Sequence, residues 1–313
     1  MNQPGKGPEH SFLNGFLFAL FAVVLWSGNF IVARALHQSI SPVALSFYRW
    51  LLATLFLFPF AYSKLKLEWR TAVPHKAYLS ITALAGITIF NTLVYVAGRH
   101  TTATNMALIG TTASPVFVFL FSALFFNQKL AKAQYAGILL CITGILILLS
   151  KGDWDQLQRF HFTAGDLWIL GAALSFAIYT LLVKKRPHEL PAIVFLFIIF
   201  CLGTLFLLPF FLIDLAYAKP VVWTPTITGS LLYLGGGASV IAFLSWNRSI
   251  RQLGPAKTAL FGNLIPVFSS LEAAWLLNEK PSPVTFFSFG IILTGITIAN
   301  ISMLKPMFFP GRK

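Results

Sequence analysis

Ten apolar stretches of roughly 18 to 25 residues follow one another along this chain of 313 residues, and that rhythm constrains the fold more than any other feature. They run over 12–35, 42–62, 77–98, 103–126, 133–150, 165–183, 191–215, 226–249, 256–277 and 283–303. As helices they reach across a hydrocarbon core of about 30 Å, with every backbone hydrogen bond satisfied inside the segment. The connections are short, and only 151–164 is long enough to be a linker, so no soluble domain fits. Apolar residues make up 57% and charged residues only 10%, more hydrophobic surface than a soluble domain of this length covers. The first stretch is longer than a signal-peptide core, and Asn29 and Arg34 stand where a small-residue cleavage site would be; it reads as a retained helix. The expected fold class is an all-α membrane protein of ten transmembrane helices.

A net charge of +14 suggests nucleic acid only until the basic residues are placed. They stand singly or in short clusters between apolar runs, so nucleic acid is excluded as a partner and the charge becomes a topology signal. With the N-terminus inside, the inner segments hold Lys6, Lys64, Lys66, Arg70, Lys76, Lys129, Lys132, Lys184, Lys185, Arg186, Arg248, Arg251, Lys257, Lys305, Arg312 and Lys313. The outer ones hold Arg34, Arg99, Lys151, Arg159, Lys219 and Lys280. That excess predicts an integral protein of the cytoplasmic membrane with both termini in the cytoplasm. Cys141 and Cys201 lie inside apolar runs and read as small buried hydrophobes, not as a disulfide or metal site.

The two halves repeat each other. An offset of 150 lays Phe58-Pro59-Phe60 on Leu208-Pro209-Phe210. An offset of 151 lays Ser114-Pro115-Val116-Phe117 on Ile265-Pro266-Val267-Phe268, Asn127-Gln128-Lys129 on Asn278-Glu279-Lys280, and Thr143-Gly144-Ile145 on Thr294-Gly295-Ile296. Residues 1–150 and 165–305 therefore read as duplicated five-helix units. Five is odd, so the second unit enters the membrane from the opposite side and the pair is inverted. Inverted repeats characterise secondary transporters, whose site lies near the midplane between the units.

Trp26-Ser27-Gly28-Asn29-Phe30, the run from Ser41-Pro42 to Arg49, and Asn278-Glu279-Lys280 followed by Gly290 and Gly295 occur in an order that resembles the drug/metabolite transporter superfamily, in its ten-helix EamA branch. The resemblance covers about residues 12–304. It implies two inverted repeats, a central cavity built mainly by the first four helices of each, and export of amino acids or related metabolites. The first half carries Gln128 where the second carries Glu279, which removes a coupling role shared by both halves and leaves one in repeat-end structure.

A charge in the middle of a span costs about 2.5 to 3.5 kcal/mol on insertion scales, so each one asks for a reason. Arg49, about two turns into the second helix, suits a substrate carboxylate; the alternative is a structural arginine that snorkels or bonds helix-end carbonyls. Glu272, the acid well inside an apolar run, is the candidate for a coupling proton or a substrate ammonium; the alternative is a carboxylate near the outer end of its helix paired with a neighbouring base. Glu279 sits in a turn before Pro281 and Pro283 and reads as interfacial. The amides Asn29, Asn91, Asn105 and Asn263 must face protein, as glue between helices or as ligands of a solute. Asn91 and Tyr95 share a helical face, Trp246 is the repeat partner of Tyr95 and is followed by Asn247, and Trp26 falls on Phe176 with Tyr179 a turn later. Trp26, Asn29, Arg49, Asn91, Tyr95, Tyr179, Trp246 and Asn263 are thus the candidate lining for an amphipathic solute. Trp69, Trp154, Trp168 and Trp223 read as interfacial belt residues.

Pro115 and Pro266 fall at equivalent places in equivalent helices and are the hinge candidates. Gly235, Gly236 and Gly237 permit a break, and Gly137, Gly144, Gly290 and Gly295 permit close helix packing. No phosphate loop, paired-histidine zinc motif or nucleophile elbow is present, and the six histidines lie in loops or tails. No enzyme, cofactor or metal is expected. The expected partners are a small-molecule substrate, membrane lipid and protons. The runner-up is a flippase for lipid or lipid-linked substrates, which would show a lateral groove between helices instead of a closed central cavity.

Overall fold

A computed structural model describes residues 8–36, 39–101, 103–126, 131–150, 152–153, 155, 163–218, 220–277 and 283–301. These form helical rods without a strand among them: α1 (Pro8–Leu36), α2 (Pro42–Ala72), α3 (76–100), α4 (Ala103–Phe126), α5 (Lys132–Ser150), α6 (Ala164–Lys184), α7 (Ala192–Tyr217), α8 (Pro225–Leu253), α9 (255–277) and α10 (Pro283–Ala299). Five segments are long and apolar enough to cross a membrane: Phe12–Asn29, Pro42–His100, Ala164–Lys184, Ala192–Tyr217 and Pro225–Leu253. Ile109–Phe125, Lys132–Leu148 and Pro283–Ala299 are shorter apolar helices. Asn127–Lys129, Lys151, Trp154, Arg159, Lys219, Asn278–Lys280 and both termini lie outside the described residues, as do the side chains of Arg34 and Asn105.

The rods are built inside out relative to a soluble bundle. On α1, Leu13, Leu17 and Phe21 form an exposed stripe, while Ala19, Ala22, Val23 and Trp26 face inward. Large apolar side chains left on the outside suit a solvent of lipid, where small residues let helices associate by close backbone packing. The α5–α10 crossing is the clearest case. A Cβ on Gly137 would lie 2.5 Å from the carbonyl oxygen of Gly295, and one on Gly144 would lie 3.2 Å from that of Ser288. Gly144 and Gly295 are repeat partners, as are Gly137 and Ser288, so the two contacts are the same contact made twice. Gly290, also read as a packing glycine, meets nothing within 4 Å.

Helix pairing repeats in the same way. α5 packs on α10 and α2 on α7; α1 packs on α8 as α3 does on α6; α1 packs on α9 as α6 does on α4. α3 and α8 each contain a π-helical segment, Leu84–Ile89 and Tyr233–Ile241, and these pack on α7 and α2 respectively. The glycine run 235–237 lies in the second of them. Gly254, at φ +89°, makes the abrupt turn from α8 into Pro255 that a side chain would resist.

One boundary differs from the hydropathy reading. α2 continues ten residues past Tyr62, through Lys64, Lys66 and Arg70, and stops where Pro74 removes a donor. Trp69 is exposed on this extension, and Trp168 and Trp223 are exposed at their own helix ends.

Candidate functional site

Arg49 is 1% exposed and does not snorkel. Its guanidinium spreads over neutral oxygens from three other helices. Nε donates to Ser239 Oγ at 2.8 Å; Nη1 faces Asn91 Oδ1 at 2.9 Å, Tyr95 Oη at 3.0 Å and Asn29 Oδ1 at 3.1 Å; Nη2 donates to the Ala238 carbonyl at 3.1 Å. The cation also lies 5.0 Å from the Trp50 ring centroid. Trp26 Nε1 donates to the same Ala238 oxygen at 2.8 Å. Ala238 and Ser239 sit in the π-helical segment of α8, the kind of local widening that redirects backbone groups at functional sites. Arg49 therefore ties α1, α2 and α3 to α8, with its donors engaged by protein oxygens.

Next to this fan lies an aromatic centre. Trp26 packs against Trp246, Phe243 and Phe176 at ring-centroid distances of 4.9, 5.4 and 5.5 Å. Tyr179 packs against Phe176 and Phe243 at 5.7 and 5.5 Å and donates its hydroxyl proton to Asn247 Oδ1 at 2.7 Å. Gly86 has no Cβ because the Tyr179 ring occupies that space. Among the described residues, Trp246 Nε1 and Asn247 Nδ2 are buried here without a partner.

A third group surrounds Glu272 on α9. Its Oε1 is 2.5 Å from Ser27 Oγ, which is also 2.6 Å from the Val24 carbonyl, and its Oε2 is buried without a partner. Tyr233 donates to the Leu25 carbonyl at 2.5 Å and Ser269 to the Ser27 carbonyl at 2.9 Å. A Cβ on Gly28 would collide with the Tyr233 hydroxyl and lie 3.4 Å from Glu272 Oε2.

The structure thus brings Trp26, Asn29, Arg49, Asn91 and Tyr95 into one network, and Tyr179 and Trp246 into the adjoining aromatic centre. Asn263 is buried on the 3₁₀ turn Leu260–Leu264 of α9, apart from the Arg49 fan. Pro266 follows that turn directly, whereas Pro115 sits inside the continuous helix α4. Sequence reasoning missed Ser239 and the Ala238 carbonyl as partners of Arg49, and Ser27 and Tyr233 as neighbours of Glu272. The available signal was the Gly-Gly-Gly-Ala-Ser run after Tyr233, which announces a helix of unusual backbone.

The model of the EamA-like transporter family matches residues 13–150 and again residues 163–301. The chain belongs to this family. Membership makes this EamA-like protein a membrane transporter and not an enzyme, within the drug/metabolite transporter superfamily. A relative called an uncharacterized transporter in Archaeoglobus fulgidus is 30% identical over 284 residues, 91% of this chain and 96% of that one. The "probable amino-acid metabolite efflux pump" of Escherichia coli is 26% identical over 293 residues, 90% of this chain and 93% of the pump. A "probable terminal-alkyne amino-acid exporter" of Streptantibioticus cattleyicolor is 24% identical over 240 residues, 75% of this chain and 77% of the exporter. A solved crystal structure shares the fold at a TM-score of 0.72 and 20% identity, covering 95% of this chain and 98% of that one.

Proposed function

We propose that this protein exports an amphipathic metabolite of the amino-acid type by alternating access. Ten transmembrane helices form two inverted units, 1–150 and 165–305, in the cytoplasmic membrane with both termini in the cytoplasm. The observation that carries the reading is the Arg49 fan, a buried polar junction in which one half donates to Ser239 and Ala238 of the other. Polar groups this deep in a lipid-facing bundle mark a solute path, and a junction between repeats is where such a path opens to either side. Paired helix contacts, matched π segments and the twice-made α5–α10 contact support the inverted arrangement.

The solute would lie against Trp26, Asn29, Asn91, Tyr95, Tyr179, Trp246 and Asn263, with the rings taking its apolar body and the amides its polar groups. In the closed conformer these residues are buried, and a solute carboxylate reaches Arg49 only by displacing Asn29, Asn91 or Tyr95. Opening turns about Pro115 and Pro266. The relatives named as amino-acid efflux proteins support the substrate class and the direction.

The test is counterflow of radiolabelled amino acids, nucleobases and amines into proteoliposomes. Exchange confined to amino acids or close relatives is the expected result. Correctly inserted protein that exchanges none of them but scrambles lipid would replace this reading with the flippase.

A further inference from the structure

Glu272 presents a problem of proton counting. Ser27 has one hydroxyl proton and two oxygens at hydrogen-bonding distance, the Val24 carbonyl at 2.6 Å and Glu272 Oε1 at 2.5 Å. Each separation requires a proton between the oxygens, since two bare lone pairs repel at that range. The carbonyl has no proton to give. If Ser27 donates to Val24, as serines on helices do toward the preceding turn, the second proton belongs to the carboxyl. The other hydroxyls nearby cannot supply it, because Tyr233 is committed to the Leu25 carbonyl and Ser269 to the Ser27 carbonyl. Among the described residues no donor reaches the buried Oε2, a position tolerable for the carbonyl oxygen of a neutral acid and costly for an ionised one.

The charged and titratable neighbours agree. Tyr233 on α8 faces the carboxyl, and Arg49 on α2, within electrostatic reach of Tyr233, spends its donors on neutral oxygens and none on Glu272. α4 and α10, which also pack on α9, carry no Asp, Glu, His, Lys or Arg between Ala103 and Phe126 or between Pro283 and Ala299. On α1, Ser27 and Gly28 are neutral, and Arg34 lies two turns further on.

We propose that Glu272 is the proton-binding site of the transport cycle, loaded in this conformer, so that each solute exported is exchanged for one proton carried inward. The inference rests on the transport function proposed above and names its driving ion. The cycle balances: the carboxyl takes one proton from the outer side, hands it to water on the inner side, and is otherwise unchanged. Ser27, Tyr233 and Ser269 hold α1 against the acid, so loss of the proton leaves a half-buried carboxylate facing Val24 through Ser27 and favours parting of α1 from α9.

The test uses full-length protein in lipid, wild type against Glu272→Gln, which keeps the shape of the neutral acid. In wild type, an imposed pH difference of one unit should hold a solute gradient of about tenfold at one proton per solute. Glu272→Gln should keep solute-for-solute counterflow at equal pH and lose the pH-driven gradient. Retention of that gradient overturns the proposal, and so does loss of counterflow in folded Glu272→Gln, which assigns the acid to a solute ammonium. A measurement independent of any solute stands beside it. Infrared spectra at neutral pH should show a neutral carboxylic acid that disappears in Glu272→Gln; an unchanged spectrum overturns the proposal even if the substrate class above is wrong.

Discussion

Replacing Arg49 by Lys separates a cation that anchors solute from one that holds the protein together. The guanidinium makes contacts with five acceptors from three nitrogens, reaching α1, α3 and both Ala238 and Ser239 on α8. A lysine ammonium has three donors radiating from one atom and cannot span that fan, so at least two acceptors lose their partner. Interhelical hydrogen bonds in membranes average about 0.6 kcal/mol and reach about 1.7, which puts the cost of Arg49→Lys at about 1 to 3 kcal/mol. Arg49→Ala empties the fan and leaves all five acceptors without their donor, at about 3 to 5 kcal/mol for five interhelical bonds. Thermal unfolding of the solute-free protein, followed by tryptophan fluorescence, should rank wild type above Arg49→Lys above Arg49→Ala. A double-mutant cycle between Arg49→Lys and Ser239→Ala should show coupling, because the Nε bond is counted in both single variants. An Arg49→Lys protein that melts with wild type while its half-saturating solute concentration rises would refute this reasoning and return Arg49 to the role of carboxylate anchor.

Three further outcomes follow from the packing. Gly137→Ala should destabilise the protein by about 1 to 3 kcal/mol, since its Cβ would meet the Gly295 carbonyl oxygen at 2.5 Å and the Ala299 Cβ at 2.7 Å. Gly290→Ala on the partner helix should leave stability unchanged or raise it by up to about 1 kcal/mol, because nothing lies within 4 Å and alanine is the better helix former; melting temperatures of the two variants check this. Tyr179→Phe should cost about 1 kcal/mol by leaving Asn247 Oδ1 without its donor while the ring contacts persist, measured as the melting shift against Tyr95→Phe.

The helical spans were legible because lipid imposes one requirement on every segment, and the apolar run states it directly. Where the requirement stops, the reading stops too: the Lys64–Arg70 stretch of α2 leaves the apolar run but stays helical, since it is rich in good helix formers and has no breaker before Pro74. The packing role of Gly137, Gly144 and Gly295 was legible and that of Gly290 was not, because a glycine on the lipid side of a helix looks the same in sequence. Asn29, Asn91 and Tyr95 were recognisable as polar groups in need of partners. That their partner is Arg49 was not, since helix rotation in the bundle decides it. The Ala238 carbonyl was invisible for a deeper reason: a π segment makes a backbone atom into a ligand, and side-chain inventories do not contain backbone atoms.

Duplication explains the shape of this protein, and departure from duplication explains its site. At the offset of 150 that aligns α2 with α7, Arg49 corresponds to Ile199; at 151, Tyr95 corresponds to Trp246 and Asn91 to Ala242. The first half thus presents a cation with amide and phenol acceptors where the second presents an aliphatic chain, an indole ring and a methyl group. Under the inverted arrangement, two identical units would give inward-open and outward-open states of equal energy, because each is the other turned over. The Arg49 fan breaks that equality, since its charged bonds to Ser239 and Ala238 are answered in α7 against α3 only by the neutral bond from the Thr88 hydroxyl to the Gly203 carbonyl at 3.2 Å. Under the alternating access proposed above, a bias of this kind would set which side the empty protein faces, and a ligand would reverse it only by the difference in its binding to the two states. Glu272 is placed for that, on α9 against α1 and away from the fan, where its repeat partner is Phe121 and no second acid answers it.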